Sequence, residues 1–146
     1  QWDLRQVGVQ PGLGAMDIEI ADGRNDGSQR IYVSSTAGNI YEWSYNGIWS
    51  NTVVSNGKYP GLINLALGNG RNDGQNRLYF NEHTSGGGIF EVSWNGSSWD
   101  ELLISSNGGR GDVHLAALKA DGMNRLYVTG SVHWTGNPPG KNLVER

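Results

Sequence analysis

The sequence repeats itself at an interval of some 47–50 residues, and this repeat constrains the fold more than any other feature. Arg24-Asn25-Asp26-Gly27 recurs as Arg71-Asn72-Asp73-Gly74, 47 residues further on. Arg30-Ile31-Tyr32 recurs at the same interval as Arg77-Leu78-Tyr79 and, after another 48 residues, as Arg125-Leu126-Tyr127. A period of this length is typical of repeat architectures, in which one unit cannot bury its apolar faces alone and stacks against its neighbours.

The second half of each unit also repeats, and it contains a hairpin signal. The stretch at 38–49 matches the stretch at 87–99, and the extra residues of the second copy fall in its turns. Asn46-Gly47 and Asn95-Gly96 each separate two predicted strands. Asn-Gly favours a type I′ turn, because both central residues of that turn need φ > 0. The pattern therefore predicts an antiparallel hairpin with a type I′ turn in each unit.

Each unit is expected to form four antiparallel strands, labelled A to D. The predicted ranges are 16–20, 63–67 and 113–118 for strand A; 30–34, 77–81 and 125–129 for strand B; 40–45 and 89–94 for strand C; and 49–54 and 99–104 for strand D. The tail at 131–146 lacks an aromatic-rich strand C, and its candidate strands are 132–134 and 142–145. Trp2 precedes Gly23 by the 21 residues that also separate Trp49 from Gly70, so residues 1–12 are predicted to be a displaced outer strand D.

Four short antiparallel strands per repeat predict the blades of a β-propeller. The expected fold is all-β, with one domain over 1–146 and repeats at about 13–60, 61–110 and 111–146. Propellers close with about 4–8 blades, so about three blades are too few. We expect either a homo-oligomer, in which two chains form a six-bladed ring, or a part of a longer propeller chain. The displaced strand is predicted to complete the third blade of the same chain or of a partner.

Composition agrees with this fold and excludes several functions. The chain has 23 glycines, six tryptophans and six tyrosines in 146 residues, which suits short strands joined by tight turns. A net charge of −3 argues against a sequence-independent nucleic-acid binder. No apolar run approaches the ~18 residues of a membrane span. The absence of cysteine excludes disulfides and thiolate metal sites.

The loops between strands A and B carry a repeated acidic motif. They are Asp22-Gly23-Arg24-Asn25-Asp26-Gly27 and Asn69-Gly70-Arg71-Asn72-Asp73-Gly74. These loops resemble those of the FG-GAP/VCBS-type repeats of integrin-like propellers, which have an Asp-x-Asp-x-Asp-Gly calcium loop at this place. The resemblance covers about two and a half repeats. It implies propeller blades, and several relatives of this kind are sugar-binding or adhesive surface proteins.

The loops depart from that family where its calcium ligands lie. Arginines occupy the third ligand position and the last acidic position in both copies: Arg24, Arg71, Arg30 and Arg77. Calcium takes 6–8 oxygen ligands, several of them carboxylates. We therefore expect no cofactor, with arginines replacing the ion by pairing with Asp26 and Asp73. The residues that would hold any residual calcium are Asp22, Asn25 and Asp26.

One strand A position is polar in every copy. The three histidines, His83, His114 and His133, do not have the spacing of a zinc site on one element. His114 aligns with Asn64 and Asp17, and we expect this position to line the central channel. It is either a hydrated channel wall or a ligand-contacting or catalytic position.

Asp17 and Glu19 form the only carboxylate pair on a predicted strand A. At positions i and i+2 their side chains share one face, where such a pair can carry out acid–base chemistry. Glu19 aligns with Ala66 and then Ala116, so the pair is present in one copy alone. A solvated face is therefore favoured over a catalytic site, and we expect no catalytic residues.

The aromatic residues around the C–D hairpins are the strongest candidates for ligand binding. Some must fill the space between blades, while rigid aromatic faces beside asparagine and glycine turns also suit stacking on sugar rings. The aromatic candidates are Trp43, Tyr45, Trp49, Trp94 and Trp99, and the channel candidates are Asp17, Asn64 and His114.

These features together predict a non-catalytic, extracellular or secreted binding module. Its partner is expected to be a glycan or a protein surface, and repeated shallow sites would gain avidity in a lectin-like ring. One alternative is a structural or protein-interaction propeller fragment, natural or engineered, that assembles into a closed ring. A second alternative is part of a propeller enzyme. The chain begins at Gln1, which indicates a removed leader or a longer parent.

Overall fold

The computed structural model describes residues 6–8, 14–56, 61, 64–82, 88–106, 111–131 and 141–145. Within these ranges the chain is all-β. The strands are β1 (Ala15–Ala21), β2 (Arg30–Ser35), β3 (Ile40–Tyr45), β4 (Trp49–Ser55), β5 (Asn64–Gly68), β6 (Arg77–Asn81), β7 (Ile89–Trp94), β8 (Trp99–Ser105), β9 (Val113–Ala116), β10 (Arg125–Ser131) and β11 (Lys141–Glu145).

The strands form three antiparallel sheets, one for each repeat. The first sheet has the order β1-β2-β3-β4, the second β5-β6-β7-β8, and the third β11-β10-β9. Strand pairing follows chain order in each sheet, as predicted, and this meander is compatible with propeller blades. The predicted ranges of β3, β6 and β7 match the structure at both ends, and the other matched strands differ by a few residues at their ends.

The sheet registers show that the third sheet repeats the other two. Tyr127 on β10 pairs with Glu145 on β11, just as Tyr32 on β2 pairs with Glu42 on β3. The tail strand expected at 142–145 is therefore confirmed, and it takes the position of strand C. The other expected tail strand, at 132–134, lies outside the described residues.

The register corrects one predicted alignment. His114 pairs with Tyr127, as Ala66 pairs with Tyr79 and Glu19 with Tyr32. His114 therefore corresponds to Glu19, so the alignments of His114 with Asn64 and Asp17 and of Ala116 with Glu19 were both wrong by two residues. The interval from the second to the third sheet is 48 residues here, because the segment from strand D to the next strand A is two residues shorter and offsets most of the insertion around strand C.

The C–D hairpins form where predicted, but their turns are not type I′. Gly47 and Gly96 have positive φ, whereas Asn46 and Asn95 are not among the residues with positive φ. Instead, the Asn95 Oδ1 accepts hydrogen bonds from the backbone N–H groups of Ser97 and Ser98, at 3.0 and 2.9 Å. The asparagine therefore caps a slightly longer turn, and the glycine supplies the left-handed residue.

The core lies between sheets rather than within any one of them. At the first junction Tyr32 and Ile40 of the first sheet pack against one face of the second sheet, made by Leu65, Leu78, Phe80, Phe90 and Val92. At the second junction the opposite face of the second sheet packs against the third, and the members are Ala66, Tyr79, Ile89, Val113, Leu126 and Val128. Strand alternation thus makes both faces of the second sheet apolar and buried.

The first sheet has one apolar face that neither of the other two described sheets covers. Ile18 and Ile20 on β1 are 57% and 62% exposed, whereas Leu65, which corresponds to Ile18, is 2% exposed. Residues 6–8 cover part of this face, and a Cβ on Gly8 would come within 2.3 Å of the Trp43 ring. The predicted displaced strand at 1–12 stays a prediction, because residues 1–5 and 9–12 lie outside the described residues.

Alanine substitutions at Ile18 and Leu65 compare the energetic contribution of the open face with that of the covered face. We expect Leu65→Ala to lower the free energy of unfolding by about 3 kcal/mol, because it leaves a cavity in a closed junction. Ile18→Ala at the matched position should lower it by less than about 1 kcal/mol in dilute solution. Urea denaturation followed by tryptophan fluorescence measures both, and equal losses would contradict the described packing.

Candidate binding clefts between the sheets

Each junction carries an ion pair between an A–B loop and the following strand C. Arg24 donates from Nε and Nη2 to the two carboxylate oxygens of Glu42, at 2.9 and 2.7 Å. The Tyr32 hydroxyl donates to Glu42 Oε2 at 2.9 Å. Thr52 Oγ1 donates to Glu42 Oε1 at 3.4 Å. Glu42 is 2% exposed, so these four hydrogen bonds satisfy a buried carboxylate. Burial and the neighbouring Glu42 charge raise the pKa of Tyr32, which keeps its hydroxyl protonated as a donor.

The C–D hairpin of the second sheet closes over this pair. The Arg24 guanidinium lies 4.0 Å from the centre of the Trp94 ring, within range of a cation–π interaction. Trp99 meets Tyr32 edge to face at 6.0 Å and Trp94 at 5.3 Å. The predicted candidates Trp94 and Trp99 are therefore brought together, half-buried, against the first sheet.

An open cleft of about 450 Å³ lies beside these rings. It combines a cation, two aromatic rings and hydroxyl groups, and its lining includes Arg24, Thr52, Trp94, Ser97, Ser98 and Trp99. The Trp99 indole N–H is buried and has no hydrogen-bond acceptor among the described residues. The cleft thus joins an apolar stacking surface to several polar groups.

A second cleft occupies the same place at the next junction. It has a volume of about 390 Å³, and its lining includes Arg71, Tyr79, Glu91, Leu102, Ile104 and Leu126. Arg71 and Glu91 form the matching pair, with Arg71 Nη2 at 2.7 Å from Glu91 Oε1. The repeat therefore builds the same arginine–glutamate pair at both junctions, one unit apart.

The A–B loops contain the predicted arginine–aspartate pairs at Arg30 and Arg77, whereas Arg24 and Arg71 pair with glutamates on strand C instead. Arg30 donates to both oxygens of Asp26 at 2.8 and 2.6 Å, and Arg77 does the same to Asp73 at 2.8 and 2.7 Å. A third bidentate pair joins Arg125 to Asp121. These hydrogen bonds hold the pKa of each aspartate well below its ordinary value.

The residues expected to hold residual calcium have other partners. Asp22 accepts hydrogen bonds from the backbone N–H groups of Asp26 and Gly27 at 3.1 and 2.6 Å. Asp26 binds Arg30, and Asn25 reaches the next sheet. No group of three or more histidine, aspartate or glutamate side chains that could hold a metal lies within the described ranges. The metal-free loop stays a prediction.

An asparagine clasp joins successive A–B loops. The Asn76 backbone N–H donates to Asn25 Oδ1 at 2.7 Å, and Asn25 Nδ2 donates back to the Asn76 carbonyl at 3.1 Å. The same pair of bonds joins Asn124 to Asn72, at 2.8 and 3.0 Å. Asn25 and Asn72 share φ of 58°, a left-handed conformation that asparagine tolerates better than most residues. The clasp thus fixes the register between sheets.

The channel candidates on strand A also bind neighbouring sheets. Asp17 Oδ2 accepts from the Leu65 backbone N–H at 2.9 Å, and Asn64 Nδ2 donates to Asp112 Oδ1. Both positions therefore have a structural role at the junctions. His114 is exposed on β9. Burial, with a smaller effect of Asp17, raises the pKa of Glu19, while His114 acts in the opposite direction.

The aromatic candidates of the first sheet lie apart from the clefts. Tyr45 and Trp49 are 63% and 39% exposed, and their rings contact each other at 5.2 Å. Trp43 lies on the open face beneath residues 6–8 and is 7% exposed. His83 and His133 lie outside the described residues.

The junction residues Glu42, Glu91 and Asn76 were absent from the predicted site. Their signal was present, because both glutamates follow the repeated aromatic of strand C and an asparagine precedes both Arg77 and Arg125. A repeat alone does not say which side chains meet across a junction, since their partners lie about 20–50 residues away.

No family model, curated protein or solved structure matches this chain. Within the described residues, no helix has the length and apolar character needed to span a bilayer.

The lowered aspartate pKa values predict a stability that depends on pH. A carboxylate with a lowered folded-state pKa stabilises the fold above its ordinary value of about 3.9, and this stabilisation is lost as the pH falls through the folded-state value. Asp73→Asn should therefore be less stable than wild type at pH 7, and the difference should shrink steadily below about pH 4. Urea denaturation midpoints between pH 7 and pH 2 measure this difference in stability. Arg77→Gln, which removes the other partner of the same pair, should show the same dependence on pH. A difference for Asp73→Asn that is the same at every pH would contradict the pairing.

Proposed function

We propose that this chain is a non-catalytic, extracellular carbohydrate-binding module built from β-propeller blades. The observation that carries the proposal is the cleft at the first junction, where Trp94 and Trp99 lie beside Arg24, Thr52 and Ser98. Sugar rings stack their apolar faces on aromatic side chains, and their hydroxyl groups bond to charged and hydroxyl side chains.

A second cleft at the matching place of the next junction supports binding at more than one site, although its apolar lining is made of leucine, isoleucine and tyrosine side chains instead of tryptophans. Arg71 and Glu91 repeat the Arg24–Glu42 pair one unit further along the chain. Shallow sites at successive junctions would each bind weakly and would gain avidity on a surface that displays many copies of a glycan. The engagement of Asp17 and Asn64 in bonds between sheets favours a binding role over an acid–base role for strand A.

The proposed blades are FG-GAP/VCBS-like, with arginines in place of a calcium ion. The bidentate pairs of Asp26, Asp73 and Asp121 support this, because each places a guanidinium beside the acidic end of an A–B loop. A fixed guanidinium can neutralise and orient the loop carboxylates without a metal. A loop held in this way presents its neighbouring arginine, Arg24 or Arg71, to the cleft.

Glycan-array binding followed by titration of the positive sugars tests the proposed function. We expect millimolar or tighter binding that quenches or shifts tryptophan fluorescence. Trp94→Ala should weaken it about tenfold, which corresponds to about 1.4 kcal/mol for a lost aromatic contact. Ile48→Ala, at a 76% exposed position on the first-sheet hairpin, is the control, and circular dichroism checks that both variants keep their sheets.

Two results would contradict the proposal. The absence of any positive glycan at millimolar sensitivity would contradict carbohydrate binding. Sugar binding that survives Trp94→Ala without change would place the site elsewhere.

A further inference from the structure

The first and third sheets lie at the two ends of the row of described sheets, so each has one face that corresponds to a face covered at an internal junction. We propose that these two faces bind each other between two copies of this chain, so that two chains close a six-bladed ring. The proposal concerns assembly and does not depend on carbohydrate binding.

The internal junctions show what each face must offer. At each internal junction one sheet packs a tyrosine and an isoleucine against the next sheet. These residues, which we call the giving face, are Tyr32 and Ile40 at the first junction and Tyr79 and Ile89 at the second. The next sheet contacts them with an apolar face of strand A and strand B residues, which we call the receiving face. Leu65, Leu78 and Phe80 form this face in the second sheet, and all three are at most 2% exposed.

The open faces repeat both halves of this junction. Ile18, Ile31 and Val33 in the first sheet correspond by register to the receiving residues Leu65, Leu78 and Phe80. Tyr127 in the third sheet corresponds to Tyr32 and Tyr79, and Leu143 takes the register position of Ile40 and Ile89. The first sheet therefore has a receiving face that no described sheet covers, and the third sheet has the register positions of a giving face, where Tyr127 is 9% exposed.

The cationic contact of the cleft can form across the same interface. Lys119 has the place in the third A–B loop that Arg24 and Arg71 have in the first two. Tyr45 and Trp49 correspond to Trp94 and Trp99, which pack against Arg24. In the ring, Lys119 of one copy lies against the exposed Tyr45–Trp49 pair of the other, and each chain gains a further cleft.

Residues 6–8 contact the first sheet at the place of this proposed junction. Val54, near the end of β4, packs against the first-junction core that contains Val92. Val92 corresponds to Trp43, and Val7 and Gly8 line the open face beside Trp43. The segment thus lies where a strand D from a preceding blade would contact the first sheet, which places the third blade of the second copy there.

The two-chain ring is favoured by closure as well as by matching faces. When each blade binds the next through two different faces, the blades form a closed ring only if the rotations from one blade to the next add up to a full circle. Six blades fall within the 4–8 blades at which propellers close, whereas three do not. The asparagine clasp does not extend to this junction, because Gln29 and Ala120 occupy the clasp positions. The closing junction should therefore open on dilution before the sheets unfold.

Native mass spectrometry and sedimentation over a dilution series test the assembly. We expect a dimer that dissociates to monomer while the β-sheet circular dichroism signal stays unchanged. Ile18→Lys should give a monomer at concentrations where wild type is dimeric. Leu102→Lys, at a position that is 50% exposed outside this face, should remain dimeric. A monomer at every concentration, or a trimer, would overturn the two-chain ring.

Cross-linking keeps the test decisive if Ile18→Lys fails to fold. The chain has no cysteine, so Lys119→Cys and Tyr45→Cys introduce the only thiols. A short bis-maleimide should join two chains when the two single variants are mixed, and should join far fewer when either is alone. Equal cross-linking of the mixed and single samples would overturn the proposed pairing of faces. Sugar binding by a protein that fails these tests would still leave the carbohydrate proposal standing.

Discussion

Each sheet of this protein has two apolar faces, and one sheet cannot bury both of them. Leu78 and Phe80 project to one side of β6 and Tyr79 to the other, and all three are nearly inaccessible to solvent. Because the hydrophobic gain of folding is proportional to the apolar area removed from water, the second sheet gains most of it from its two neighbours. Stability therefore belongs to the junctions, as is usual in repeat proteins.

Polar groups decide how the apolar faces meet. The buried Glu42 carboxylate needs all of its donors, and they come from the A–B loop, β2 and β4 of the same sheet. Arg24, fixed in this way, presents its guanidinium face to Trp94 of the next sheet. A half-satisfied network would cost more than an apolar contact, so the arginine, the glutamate and the tyrosine specify one arrangement together. The same arrangement creates the cleft to which we assign binding.

Much of the fold could be predicted from the sequence, because strands are local. Hydrophobic alternation and the Asn-Gly turns located β3, β6 and β7 at both ends, and the tail strand β11 was expected. The turn type was wrong, because side-chain capping by Asn95 offered an alternative to the left-handed pair of a type I′ turn. The alignment of His114 was wrong because a shorter segment between strands D and A offsets most of the insertion near strand C.

The candidate site was only partly predictable, because it depends on contacts between units. Trp94 and Trp99 were identified as aromatic candidates, and the Asp26–Arg30 pair was expected. Glu42 was passed over because the repeat does not show which residue lies opposite it, and the register places it opposite Tyr32. Asn76 was passed over because its partner, Asn25, lies 51 residues away.

Hydrogen exchange at the Asn76 amide tests the repeated junction most directly. This N–H belongs to an A–B loop, and its acceptor is the Asn25 side chain of the preceding sheet. The described junction predicts a protected Asn76 amide that exchanges about tenfold faster in Asn25→Gly, as expected for one lost hydrogen bond of about 1.4 kcal/mol. Asn124 should stay protected in that variant, and Asn72→Gly should have the reverse effect. Rapid exchange at Asn76 in wild type, or protection that survives Asn25→Gly, would contradict the account.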